Sequence, residues 1–229
     1  MNPHIYVLIL NWNGKSVLQD CVDTVLSIDY TNYNILVIDN NSSDGSGDII
    51  KNKYPEIEYL QLDKNYGFAE GYNRCFKYLG DRKTEFILLL NNDTEVDAGI
   101  LRNLIIAADH YGENNIFGGK IFYKKNPNRI WYAGGYVNLK FGYIAHKGIR
   151  KEDSSKYSYQ QLTNYITGCC FFTSMEVIKK LNGFDKRFNM YLEDVDFCLR
   201  AKKNGVQCYY YPDATLLHHV SASLGGEFS

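Results

Sequence analysis

A chain of 229 residues with 45% hydrophobic content can bury the core of one α/β domain. Its 25 basic and 26 acidic residues leave a formal net charge of -1, which excludes a global field for nucleic acid or an anionic membrane. Six cysteines without zinc-type spacing, no cleavable signal pattern at the start and no bilayer-length apolar run predict a cytoplasmic protein with reduced thiols and at most peripheral membrane contact.

Ile5 to Leu10 predicts a buried strand, followed by the polar turn Asn11-Trp12-Asn13-Gly14. Val17, Leu18, Cys21, Val25 and Leu26 recur at helical spacing. Asn34 to Ile38 predicts the second strand, ending on Asp39, and Asn40 to Gly47 is loop chemistry before a helix over Asp48 to Lys53. Ile57 to Leu62, Ala69 to Leu79 and Phe86 to Leu90 continue as strand, helix, strand. This alternation implies right-handed crossovers and a parallel sheet.

Asp97 is placed to cap a helix running to about His110, and Ile116 to Tyr123 returns as a strand. Gly- and aromatic-rich sequence from Trp131 to Tyr143 reads as loop and short strand covering a cleft. Lys147 to Gln161 is charged enough to predict a mobile segment. Gly168 to Phe172 predicts a buried strand, Ser174 opens a helix that stops at Gly183, and a further helix spans Asp194 to Asn204. Val206 to Tyr211 alternates as a strand, with Pro212 expected to stop it before Leu216-Leu217-His218-His219.

The apolar run Phe86 to Leu90 leads directly into Asn91-Asn92-Asp93-Thr94-Glu95. A parallel sheet places its ligands beyond the carboxyl ends of its strands, where oxygen donors from Asp and Asn suit Mg²⁺ or Mn²⁺. An Asp that merely ends a strand and turns the chain is the structural alternative. The turn after the first strand lacks G-x-G-x-x-G, which argues against NAD, and no G-x-x-x-x-G-K-[ST] is present for a P-loop.

Four ordered motifs carry a resemblance: residues 37–46 (VIDNNSSDGS), 65–69 (NYGFA), 90–96 (LNNDTEV) and 191–200 (YLEDVDFCLR). They resemble the inverting GT-A glycosyltransferases of family 2, most closely the bacterial rhamnosyltransferase-like branch. The resemblance covers Val7 to about Ser223. It implies a single GT-A domain over 1–229 with a mostly parallel central sheet flanked by helices, in which 1–96 binds nucleotide and 97–229 binds acceptor. The implied reaction moves a sugar from a UDP- or dTDP-sugar donor to a hydroxyl of a glycan or lipid-linked acceptor in surface polysaccharide synthesis, at the inner face of the membrane.

By that resemblance Asp39 receives the pyrimidine base, and Asn11, Asn13, Lys64, Asn65 and Asn92 surround the donor. Asp93 binds the divalent metal, Mn²⁺ or Mg²⁺, with Asn91 and His218. Asn91 replaces the family's acid, so weaker metal affinity is expected. Asp194 matches the general base, with Glu193 as the second choice. Without the resemblance, both acids simply favour the positive end of the helix that follows. His219 competes with His218, since only one of two consecutive strand residues can face a cleft. Trp12 and Phe68 are candidates to wall the pocket, and Trp131, Tyr132, Tyr136 and Tyr143 to form an acceptor platform. A catalytically silent nucleotide- or sugar-binding module is the other class of function. A nucleotidyltransferase would need a Gly-rich basic loop after the first strand, which is missing.

Overall fold

The computed structural model describes residues 2–80, 82–188 and 190–220. Strand β1 (Ile5–Asn11) is buried along its length, because its run of β-branched and aliphatic residues is covered on both faces. It lies between β2 (Tyr33–Asp39) and β4 (Phe86–Asn91), parallel to both, and β3 (Glu58–Gln61) extends the sheet beyond β2. Helices α1 (Leu18–Leu26), α2 (Ser46–Lys53) and α3 (Gly67–Leu79) make the crossovers.

The second half continues the same sheet. Its strands are β5 (Thr94–Val96), β6 (Ile116–Tyr123), β7 (Asn126–Tyr132), β10 (Gln161–Thr163), β11 (Cys170–Ser174) and β12 (Cys208–His218). The order is β10-β12-β6-β11-β4-β1-β2-β3, with β5 on β12 and β7 on β6. Strand β11 runs antiparallel to β4, so the two halves share one sheet and one core. A separate hairpin, β8 (Gly135–Asn138) with β9 (Tyr143–His146), stands beside it. Helices α4 (Ile100–Tyr111), α5 (Met175–Leu181) and α6 (Glu193–Lys203) complete the chain. None of the helices among the described residues is long and apolar enough to cross a membrane.

Many of the tyrosines are core residues. Tyr72, Tyr132 and Tyr210 are fully buried, and their hydroxyls donate to the carbonyls of Leu90, Tyr165 and Tyr157. A buried phenol needs such a partner to offset the loss of water.

Pro212 does not end a strand. Strand β12 runs through it to His218, with a bulge at 211–214 where β12 advances five residues while β6 advances two. Proline is tolerated there because the ladder is already broken. Gly119 faces the Ala214 carbonyl in that bulge, where a Cβ would overlap it. The polar segment 147–161 is also anchored. Both Asp153 oxygens accept from Lys120 Nζ at 2.9 Å, the backbone of Glu152 pairs antiparallel with that of Arg129, and the Tyr157 carbonyl accepts from the Tyr210 hydroxyl. Its charges satisfy a buried lysine, so polarity did not signal mobility. Asp97 caps a turn before α4, its Oδ1 accepting from the Gly99 N–H at 2.8 Å.

Candidate active site

Three parallel strands end level with one another: Asn11 of β1 stands opposite Asp39 of β2, and Leu10 of β1 opposite Asn91 of β4. Loops diverging from such ends leave a crevice. Here it is a cavity of about 790 Å³, walled by Asn65, Asn91, Asn92, Asp93, Glu193, Asp194 and His218 among others. A second groove of about 720 Å³, between α3 and α5, holds none of these groups.

His218 Nε2 lies 3.1 Å from Asp93 Oδ1, with both side chains buried. The His219 N–H also donates to the Asp93 carbonyl at 2.9 Å. Alternation turns the His219 ring away from the cleft, where its Nε2 meets Glu95 Oε1 at 2.9 Å beside Asp20. Lys124 already pairs with the other Glu95 oxygen, so that outer cluster is an ion-pair network. In the cleft, Trp131 sits edgewise between His218 and His146, at 4.4 Å from each ring centroid.

Asp93 and His218 fit a divalent cation. Adjacent donors of one octahedral ion at roughly 2.1 Å stand roughly 3 Å apart, which matches their spacing. Nδ1 of His218 is buried without a partner. Asn91 lines the same cavity and offers only a neutral oxygen.

Glu193 and Asp194 open α6 inside the cavity. Tyr191 and Leu192, just before them, both hold left-handed backbone angles (φ 69° and 70°), a costly conformation that non-glycine residues keep only where surroundings impose it. The two carboxyls differ in environment. Asp194 accepts from the N–H groups of Gly168 at 2.9 Å and Val195 at 2.7 Å, which fixes its direction. Burial raises its pKa, and those N–H groups oppose the rise. Gly168 can approach because it lacks a side chain: a Cβ there would meet Phe68 Cζ at 2.5 Å. Glu193 is 6% exposed, its Oε2 has no partner, and burial together with the Asp194 charge pushes its pKa to about 7.

Asp39, Asn11 and Asn13 do not line the cavity. Asn11 Nδ2 reaches Asp39 Oδ2 at 3.1 Å, Ser42 Oγ at 3.1 Å and Ser46 Oγ at 2.9 Å, while its Oδ1 accepts from Asn92 at 2.7 Å. Asp39 Oδ1 accepts from the Ser42 N–H at 2.6 Å and Gln61 at 3.2 Å, and Asn13 Oδ1 accepts from the Ser43 N–H at 2.9 Å. Together they hold the loop after β2 against the turn after β1. Gly14 belongs to the same junction, since a Cβ would overlap Asn11 Oδ1 and Asn92 Nδ2. Lys64 is exposed, its ammonium 4.9 Å from the Tyr66 ring centre.

Of the aromatic candidates, Trp12, Phe68 and Trp131 line the cavity. Tyr132 is buried, and Tyr136 and Tyr143 stand exposed on the hairpin, so no platform of four forms. Sequence reasoning missed His146, Tyr165 and Thr167, which also line the cleft. Burial lowers the His146 pKa to about 4; the ring bonds the Trp131 carbonyl, and its Nδ1 has no partner. The available signal was the strand alternation that puts Ile144 and His146 on one side of β9.

Residues 6–181 match the family model described as glycosyl transferase family 2, and residues 149–221 match one described as the N-terminal domain of galactosyltransferase. Among curated proteins, the chain is 26% identical to N-acetylglucosaminyl-diphospho-decaprenol L-rhamnosyltransferase of Mycobacterium tuberculosis, over 83% of this chain and 68% of that protein. It is 24% identical to rhamnosyltransferase WbbL of Escherichia coli, over 94% and 83% respectively. It is 26% identical to O-antigen biosynthesis protein RfbC of Myxococcus xanthus, where 96% of this chain spans only 18% of the relative. Among solved structures, GalNAc-T7 with UDP, GalNAc and Mn²⁺ superposes with a TM-score of 0.76 at 15% identity, covering 94% of this chain and 43% of that one. The mannosyltransferase PcManGT of Pyrobaculum calidifontis, in complex with GDP-Man and Mn²⁺, gives 0.69 at 13% identity, over 96% and 58%. These two likenesses establish the GT-A fold. The family match runs through every strand of the sheet except the last, and the chain is therefore a glycosyltransferase belonging to glycosyl transferase family 2.

Proposed function

We propose that the cleft transfers a sugar, with inversion, from a UDP- or dTDP-sugar to a hydroxyl of a glycan or lipid-linked glycan in surface polysaccharide assembly, at the cytoplasmic face of a membrane. One observation carries this reading: Asp93 with His218, and Glu193 with Asp194, converge from distant parts of the chain on one cavity at the ends of parallel strands. The Mycobacterium tuberculosis relative, whose name gives a decaprenol-linked sugar as its acceptor, supports the acceptor class.

Asp93, His218 and the Asn91 oxygen would hold a divalent cation, Mn²⁺ or Mg²⁺, which when bound neutralises charge on the departing diphosphate. Asp194 is oriented by two N–H groups to take the proton of the acceptor hydroxyl. The acceptor oxygen forms its bond to the anomeric carbon as the bond to the diphosphate oxygen breaks, and the bonding pair leaves with the diphosphate. Glu193, holding a proton below about pH 7, donates to a sugar hydroxyl, and neutral His146 accepts from one through Nδ1. Asn65 and Asn92 border the donor, with Asn11, Asn13 and Lys64 supporting it from outside the lining. Asp39 takes the pyrimidine ring N–H, which requires the loop after β2 to move, because Asp39 is 1% exposed.

The test is calorimetric binding of UDP, dTDP and GDP to wild type and Asp93→Ala, with and without Mn²⁺. Pyrimidine-selective binding that needs both Mn²⁺ and Asp93 is expected. No binding at saturating Mn²⁺ would overturn the donor site and favour a silent module.

A further inference from the structure

The β8-β9 hairpin has one end in the cleft and the other in solvent. Ile144 and His146 line the cavity, whereas Leu139 and Phe141 at the tip are 72% and 73% exposed. Asn138 Oδ1 accepts from the N–H groups of Lys140 and Phe141 at 3.1 and 3.3 Å, and Gly142 turns the chain at φ 62°. The tip is thus a built turn that holds two large apolar side chains outward. Tyr136 and Tyr143, also exposed, sit just behind it with ring centroids 6.1 Å apart.

Charge along this segment is one-sided. From Gly135 to Lys151 the sequence contains Lys140, Lys147, Arg150 and Lys151 and no Asp or Glu. That departs from a chain whose formal net charge is only -1. Apolar groups at a tip, amphipathic tyrosines behind them and nearby exposed cations such as Lys140 and Arg150 are features by which a protein seats on an anionic lipid surface. Met190, Tyr191 and Leu192 are exposed and line the same cavity as Ile144, so further exposed apolar side chains border the cleft itself.

We propose that the 135–151 hairpin and its basic flank dock the enzyme on an anionic bilayer, with Leu139 and Phe141 entering the acyl boundary. This deepens the lipid-linked acceptor reading and rests on it only for its purpose, not for the binding itself. The docking turns the cleft mouth toward the headgroups, where a lipid-linked hydroxyl would enter between the hairpin and Met190.

The experiment is co-sedimentation with vesicles of phosphatidylglycerol and phosphatidylcholine (1:1), and of phosphatidylcholine alone. It compares wild type with Leu139→Ser/Phe141→Ser and with Lys140→Glu/Arg150→Glu. Wild type is expected on the anionic vesicles at low salt, with at least roughly tenfold weaker partition for either double variant and for neutral vesicles. Nucleoside diphosphate binding measured on the same samples should be unchanged, which shows that each variant is folded. Equal sedimentation of the variants, or none by wild type, overturns the proposal. So does a wild-type dimer that Leu139→Ser/Phe141→Ser converts to monomer, since a second copy would then cover the face. Loss of nucleotide binding by wild type with vesicle binding intact would instead overturn the donor reading alone.

Discussion

His218 Nε2 stands 3.1 Å from Asp93 Oδ1, joining the end of the last strand to the turn after β4. Neither residue alone makes a cation site, and the fold brings them together only when β12 is complete. Asp93→Asn is expected to lower transfer at least ~10²-fold, and His218→Ala at least ~10-fold, each with weakened Mn²⁺ binding. Titration of Mn²⁺ by electron paramagnetic resonance checks both, and unchanged Mn²⁺ affinity in the two variants would remove the site.

Glu193 should make stability depend on pH. Its folded pKa of about 7 lies above the model-peptide value of 4.5, so the folded state holds a proton that the unfolded state releases. Stability from this group is therefore full below about pH 4.5 and declines as pH rises toward 7, by up to ~3 kcal/mol. Glu193→Gln removes that decline. Melting temperatures of wild type and variant should converge near pH 5 and separate at pH 7.5, with the variant higher.

Gly168→Ala would force the Phe68 ring to move, at a cost of about 1–3 kcal/mol. Because the Gly168 N–H also points Asp194, turnover should fall more than donor affinity. Denaturant melts and a comparison of kcat with KM measure the two effects separately.

Removing Asp153 leaves the Lys120 ammonium buried and without its carboxylate. Asp153→Ala is expected to cost about 2 kcal/mol, below the value for a fully buried pair because Asp153 is 34% exposed on its side chain. Urea denaturation reads this directly, and a loss under about 0.5 kcal/mol would show that the 147–161 segment is not anchored there.

The first half of the fold is legible because each element has a local cause. Apolar runs such as Phe86 to Leu90 must be buried on both faces, and the loop after Asp39 is made of turn residues. Asp93 can be singled out because it stands where a buried apolar strand ends, whereas Asp194, Glu193 and His218 are picked out by the resemblance to family 2. His146 is harder to single out: alternation along β9 puts it on the side of Ile144, but nothing local shows that this side of the hairpin faces the cleft. Pro212 misled for a related reason. Proline's missing N–H forbids a regular ladder, but the partner strand decides whether the ladder is regular at that point. Charge in 147–161 likewise reads as solvation until a buried lysine elsewhere claims one of the acids.

The bulge at 211–214 also acts as a phase setter. Removing one residue there would exchange the two faces of everything downstream, because strand side chains alternate. His219 would then present its ring to the cleft in place of His218. With imidazole at both positions, the cleft keeps a nitrogen donor beside Asp93 after such a slip. The doublet thus makes the site tolerant of a one-residue deletion at the bulge, whereas a one-residue insertion would bring Leu217 to the place of His218.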